Sequence, residues 1–298
     1  MTLGACAEPL CTAYDAALLD LDGVVYRGPD PVPGAAAAVA AARAAGMRMA
    51  FVTNNASRTP AAVAAHLGAV GVEARADEVV TAAQAAATLL GTLVPAGSRV
   101  LVTGGEGLRA AVTEAGFEPV PTADDGPAAV VQGYAPGLAY ADLAEAALAV
   151  RAGAVWVASN LDATIPTARG LLPGNGALVA LVAHATGRRP DAAAGKPERA
   201  LHDEAVRRTG AVRPLVVGDR LDTDVEGANR AGCDSLLVLT GVTTEADLLA
   251  APPERRPTYL GLDLGALLVA HPAEGGVRDG LDALRGLLRG GNAAAAGR

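Results

Sequence analysis

Short aliphatic runs alternate with alanine-rich stretches of helical length along nearly the whole chain, and this alternation restricts the fold more than any other feature. Brief apolar runs bounded by turn residues suit strands buried on both faces, and such strands belong to parallel sheets covered by helices. The expected class is therefore α/β. Core strands are predicted over residues 16–19, 48–52, 215–218 and 235–239, with helices over 35–45, 60–67, 197–208 and 223–231. Between these lies a second α/β series. It has strands at 99–103, 128–131 and 154–158, helices near 106–114, 140–152 and 175–185, and a loop at 121–127.

The second series reads as a domain spanning 81–188, inserted into a discontinuous first domain made of 13–80 and 189–289. Residues 1–12 and the low-complexity stretch 290–298 read as disordered tails. Hydrophobic residues make up 51% of the 298, but alanine supplies much of that and aromatics only 3%. No apolar run reaches the roughly 18 residues that a membrane span needs. The first twelve residues lack a basic start and an apolar centre, so no signal peptide is expected and the default location is cytoplasmic. A net charge of −8 argues against nucleic acid as a partner. Cys6, Cys11 and Cys233 have neither metal-ligand spacing nor the look of a disulfide framework.

Four segments carry candidate chemistry. Asp20-Leu21-Asp22-Gly23 closes the first apolar run, and strand alternation would bring both carboxylates to one face. Thr53-Asn54-Asn55 ends the second strand with a hydroxyl and two amides, able to hold phosphate oxygens or simply to cap the next helix. Gly195-Lys196-Pro197 sets a lysine ahead of a helix, and Gly218-Asp219-Arg220-Leu221-Asp222-Thr223-Asp224 is an acidic loop after an aliphatic strand. Asp20, Thr53 and Asp219 each follow a predicted strand end, the edge where open α/β sheets bind ligands. Gly104-Gly105-Glu106-Gly107 lacks the spacing and the lysine of a nucleotide loop. The four histidines are scattered away from these segments, which disfavours zinc and phosphohistidine chemistry.

In content and order these four segments resemble the motifs of the haloacid dehalogenase-like phosphohydrolase superfamily, over about residues 16–259. Thirty residues separate Asp22 from Thr53, whereas Lys196 lies 143 positions beyond Thr53. An inserted cap would thus fall between the second and third motifs, as in the NagD and nitrophenylphosphatase-like subgroup. The stretches Ser159-Asn160-Leu161-Asp162, Arg169-Gly170-Leu171-Leu172-Pro173-Gly174-Asn175-Gly176 and Val225-Glu226-Gly227-Ala228-Asn229 are similar to actinobacterial members that act on glycerol 3-phosphate.

The resemblance implies a Rossmann-like core with an inserted α/β cap, and a Mg²⁺-dependent phosphomonoesterase acting through an aspartyl-phosphate. Asp20 would be the nucleophile and Asp22 the general acid and base. Lys196, Thr53, Asn54 and Asn55 would hold the phosphoryl group. Mg²⁺ would be bound by the Asp20 carboxylate, the Asp22 backbone carbonyl and Asp219, with Asp224 behind them orienting water. Asn160 and Asp162 would face the substrate from the cap, or else form a plain Asx turn. Arg169 would meet a substrate carboxylate or hold its loop, and Gly174 and Gly176 read as turn glycines. The implied substrate is glycerol 3-phosphate. The alternatives are another small ester (2-phosphoglycolate, a nucleoside monophosphate or a sugar phosphate) and, in a different class, a catalytically silent binding protein. A homodimer is the expected assembly.

Overall fold

The structure, a computed structural model, describes residues 3–167, 169–271, 276–282 and 285. The chain divides into two units, one of Met1–Phe51, Gly68–Glu73 and Thr209–Arg298, the other of Val52–Leu67 and Ala74–Arg208. The first unit opens with α1 (Leu10–Ala13), β1 (Ala16–Leu19), the short ribbon β2 (Tyr26–Arg27) and β3 (Asp30–Pro31), α2 (Ala35–Ala44) and β4 (Arg48–Thr53). Next in the chain come α3 (Pro60–Ala69), β5 (Val79–Thr81), α4 (Ala82–Leu93), β6 (Arg99–Thr103), α5 (Glu106–Glu114), β7 (Glu118–Val120) and β8 (Ala129–Gln132). These lead to α6 (Tyr140–Arg151), β9 (Val155–Ala158), the hairpin β10 (Thr164–Thr167) and β11 (Gly170–Pro173), α7 (Asn175–Thr186), β12 (Ala192–Ala193) and α8 (Ala200–Thr209). The chain returns to the first unit with β13 (Pro214–Gly218), α9 (Glu226–Ala231), β14 (Asp234–Val238), α10 (Glu245–Ala250) and β15 (Tyr259–Gly261).

The first unit builds a parallel sheet in the order β15-β14-β13-β1-β4. β1 runs between β13 and β4 and all four of its residues are buried, which explains why Ala-Ala-Leu-Leu shows no polar alternation. From β1 the chain builds outward through β4, then returns to add β13, β14 and β15 on the other side. The direction reverses between β1 and β13, so Asp20 and Asp219 leave the sheet at its switch point.

The second unit repeats the plan with β12-β9-β8-β6-β7, also parallel. Its core joins Leu101, Val130 and Trp156 of the sheet to Leu143 and Val150 of α6 and Val182 of α7. Burying each such aliphatic side chain contributes about 1.5–3 kcal/mol. Trp156 is wholly buried, and its indole N–H donates to Gln132 Oε1 at 3.2 Å.

The predicted disorder of residues 1–12 is corrected where the chain is described. Leu3 joins an apolar cluster with Leu237, Leu248 and Leu260, and Leu10 and Cys11 are buried. Gly4 N–H donates to Thr258 O at 2.8 Å, and Cys6 pairs with His271. Burial and backbone pairing tie this end down. The stretch 290–298 lies outside the described residues. Several elements went unpredicted, among them three in the second unit. One is α4, which the capping box of Thr81 and Gln84 announces: Gln84 Oε1 accepts from Thr81 N–H at 2.9 Å. The others are the short strand β5 and the β10–β11 hairpin. The helix expected over 223–231 instead begins as a π-helical turn at Leu221–Val225, because both Asp224 N–H and Val225 N–H donate to Arg220 O.

Candidate active site

In the first unit, oxygens of Asp20, Asp219 and Asp224 lie within 4.8 Å of one another. Asp20 follows β1, its N–H held by Val217 O at 2.8 Å, and its side chain is half-buried. Asp219 follows β13 and is fully buried; its Oδ2 accepts from Val242 N–H at 2.6 Å. Asp224 is buried on the π-helical turn and accepts from Arg220 N–H at 3.1 Å. It still brings a carboxylate oxygen within 4.8 Å of the other two. Two such charges about 4 Å apart at an effective dielectric near 20 repel by about 4 kcal/mol. An all-oxygen, trianionic set of this kind fits a hard divalent cation such as Mg²⁺.

Glycines allow the close approach. Gly23 has φ +87°, and a Cβ there would sit 2.5 Å from Asp219 Oδ2. Cβ atoms on Gly241 and Gly218 would overlap Asp219 and Asp224 respectively. Gly241 and Val242 escaped the sequence reading. The signal was Thr240-Gly241 directly after the strand at 234–238, since Thr240 Oγ1 donates to Gly23 O at 2.6 Å and joins this loop to the first motif.

Asp22 departs from the expected strand geometry. β1 ends at Leu19, and Val25 N–H and Tyr26 N–H both return to Leu21 O, so Asp22 sits past the strand at the mouth of a turn over residues 23–25 that its bridge to Tyr26 closes, where alternation no longer applies. Asp22 is solvent-exposed as a residue, yet desolvation of its carboxyl raises its pKa, against the opposing pull of the Gly28 and Gly23 N–H groups and Arg220. A carboxyl held protonated to higher pH is suited to donating a proton. Asp222 is drawn aside by Arg220 at 2.9 Å; burial acts to raise its pKa, but the guanidinium holds it below the ordinary value.

The second unit gathers Thr53, Asn54, Asn160, Asp162 and Lys196. Asn54 is the hub: its Nδ2 donates to Asp162 Oδ2 at 3.0 Å and Lys196 O at 3.1 Å, and its Oδ1 accepts from Lys196 N–H at 2.7 Å. Asn160 Nδ2 donates to Asn54 O at 2.8 Å, while Asn160 Oδ1 accepts from Asp162 N–H at 3.2 Å, the Asx turn kept open above. Gly195 is needed here, because a Cβ would come within 2.7 Å of both Asn160 Cβ and Asn54 Oδ1. Lys196 itself is buried. Thr53 Oγ1 accepts from Asn55 N–H at 3.1 Å, which leaves its hydroxyl proton able to donate. Asn55 turns into its own loop, its Oδ1 accepting from Ser57 N–H and Arg58 N–H at 3.0 Å each. Arg169 lies in the exposed turn of the hairpin, its N–H on Thr167 Oγ1. Gly174 and Gly176 have ordinary φ; they serve close packing, since Cβ atoms there would overlap Asp162 O and Leu161 O.

Parallel α/β sheets with carboxylates at one switch point serve many chemistries, and the comparisons with known proteins select among them. Residues 17–118 match the haloacid dehalogenase-like hydrolase family and residues 193–267 a second HAD-hydrolase-like family. The chain belongs to the haloacid dehalogenase-like hydrolases. It is 53% identical over 260 residues to the D-glycerol 3-phosphate phosphatase of Mycobacterium tuberculosis, covering 87% of this chain and 72% of that protein. It is 39% identical to the acid sugar phosphatase of Staphylococcus aureus, over 84% of this chain and 95% of that one. Among solved structures, the M. tuberculosis glycerol phosphate phosphatase in complex with magnesium superposes with a TM-score of 0.84 at 51% identity, over 88% of this chain and 78% of that one. The p-nitrophenyl phosphatase of Archaeoglobus fulgidus gives 0.78 at 30% identity, over 86% and 98%.

Proposed function

We propose that the protein is a Mg²⁺-dependent phosphomonoesterase with glycerol 3-phosphate as its preferred substrate. The observation that carries the reading is the cluster of carboxylates from half-buried Asp20 and buried Asp219 and Asp224, which suits a divalent cation beside a residue able to act as nucleophile. Mg²⁺ would be held by Asp20, Asp219 and Asp224, with the Asp22 carbonyl as a further donor, and would supply charge neutralisation for a phosphate dianion.

Asp20 attacks phosphorus, forming an aspartyl-phosphate as the ester P–O bond breaks, and Asp22 gives its proton to the leaving alkoxide. Asp22, now a carboxylate, takes a proton from water as that water attacks phosphorus. The bond to Asp20 breaks and inorganic phosphate leaves. Lys196 and the Thr53 hydroxyl stabilise the phosphoryl oxygens. Asn54 acts through its backbone N–H, because both ends of its side chain are already bonded to Lys196 and Asp162. Residues 81–188 select the leaving group, with Asn160 and Asp162 among the residues that shape that choice.

Identity to a relative named for D-glycerol 3-phosphate supports that substrate, while relatives named for sugar phosphates and p-nitrophenyl phosphate keep another small ester as the second reading. Phosphate release from a panel of phosphomonoesters with Mg²⁺ tests both. Fastest release from glycerol 3-phosphate, lost with chelator and in Asp20→Asn, is expected. Fastest release from another ester would replace the substrate and keep the mechanism. Absence of metal-dependent release from every ester would favour a silent binding protein. Light scattering would test the expected homodimer.

A further inference from the structure

Asn175, the first residue of α7, starts the helix predicted near 175–185 and lies between the two glycines read as turn residues. It is buried, and its Nδ2 donates to Asn160 O at 2.7 Å and Gln132 O at 3.2 Å. The same helix turn closes on the same segment through Gly176 N–H to Asp162 O at 2.8 Å and Gly174 N–H to Ala163 O at 2.9 Å. Asn160 in turn holds Asn54, and Asn54 brackets Lys196 at both its N–H and its carbonyl. The bonds thus run without a gap from the end of β8, through the start of α7, to the lysine.

Two features separate this path from ordinary packing. Backbone on either side is pressed together at Gly174, Gly176 and Gly195, where a methyl group would collide with Asp162 O, Leu161 O and Asn54 Oδ1. Asn175 Oδ1 is meanwhile buried with no hydrogen-bond partner among the described residues. What the site retains is the donor half of the amide.

We infer that Asn175 is a positioning residue for Lys196, acting through Asn160 and Asn54. The inference rests on the reading of Lys196 as a phosphoryl-binding residue. Lys196 would act most strongly on charge that builds in the transition state, so its displacement lowers kcat more than it raises KM.

The test compares Asn175→Ala with Val182→Ala, a core truncation in the same helix. Asn175→Ala is expected to lower kcat by about 10- to 100-fold with KM changed less than about threefold. It should also shift the side-chain amide resonances of Asn54. Val182→Ala should lower Tm and leave kcat and those resonances in place. Should Asn175→Ala fail to fold, Asn175→Ser, which suits a helix start, carries the same expectations. Wild-type kcat in a folded Asn175 variant, or unmoved Asn54 resonances, would overturn the inference. A wild type lacking phosphatase activity would sink the functional reading instead, and the Asn54 resonances would then decide the coupling alone.

Discussion

The two units carry parallel sheets wound the same way, with an order reversal between β1 and β13 in one and between β6 and β8 in the other. Their C-terminal edges differ. The first edge presents carboxylates: Asp20 after β1 and Asp219 after β13, with glycines letting backbone approach them. At the second edge stand Thr103, Gln132 and Ser159, all buried, with glycines at 104, 105 and 133. There the glycines admit Leu108, Ser57 and Ser159 rather than opening a crevice. A switch point is therefore an opportunity for a ligand and not a guarantee of one. Charge crowding marks the first edge, and filled space beside its glycines marks the second.

The largest effect separating the edges should come from Asp20→Asn, with phosphate release falling by more than about 1,000-fold while Tm holds or rises as carboxylate repulsion is relieved. A Tm loss comparable to that of a core truncation would break the contrast, because it would make Asp20 a structural residue. Next is Gly23→Ala, which combines an unfavourable positive φ with a clash against Asp219. It should lower activity by about 100-fold and stability by about 2 kcal/mol. Gly133→Ala presses on Ser159 Oγ at 2.9 Å and Leu108 at 3.0 Å, and should cost about 1–2 kcal/mol in a melt with kcat within about threefold. Equal kinetic damage from both glycine variants would erase the distinction.

Sequence made these edges legible to different degrees. Asp20, Thr53 and Asp219 could be placed at strand ends because the apolar runs before them are hard to mistake. The carboxylate of Asp224 could not be placed, because its direction depends on a π-helical turn that no periodicity announces. Asn160 was ambiguous for a related reason: an asparagine reads alike whether it meets a ligand or a backbone carbonyl far away in the chain. The strands Glu118–Val120, Thr164–Thr167 and Gly170–Pro173 were hidden by prolines and by exposed positions lacking any alternation.

Metal should sharpen the comparison further. Mg²⁺ is expected to raise the Tm of the wild type by a few degrees (about 1 kcal/mol or more at saturating metal) and to leave Asp219→Asn nearly unchanged. An equal rise in both would place the ion elsewhere.

The smallest effect concerns Glu204, buried in the second unit between Thr88, Arg207 and Arg208. Burial acts to raise its pKa, but the two guanidiniums hold it below the ordinary glutamate value. The group therefore contributes stability above its unfolded pKa, and that contribution is lost as pH falls through the lower folded pKa. Glu204→Gln should cost about 1 kcal/mol near neutrality, since Arg207 is largely exposed and screened, and nothing once the acid is protonated. Urea melts of both proteins from neutral to strongly acidic pH would measure this convergence. A gap that persists in acid would mean shape rather than charge is at issue.

The most direct test of the central claim is acid-quenched turnover of the ester that the substrate panel ranks first, followed by mass analysis of the peptide containing Asp20. A phosphate adduct on Asp20, labile to hydroxylamine and formed as fast as turnover, is the predicted result. Rapid phosphate release with no adduct on Asp20, and with activity retained in Asp20→Asn, would contradict it.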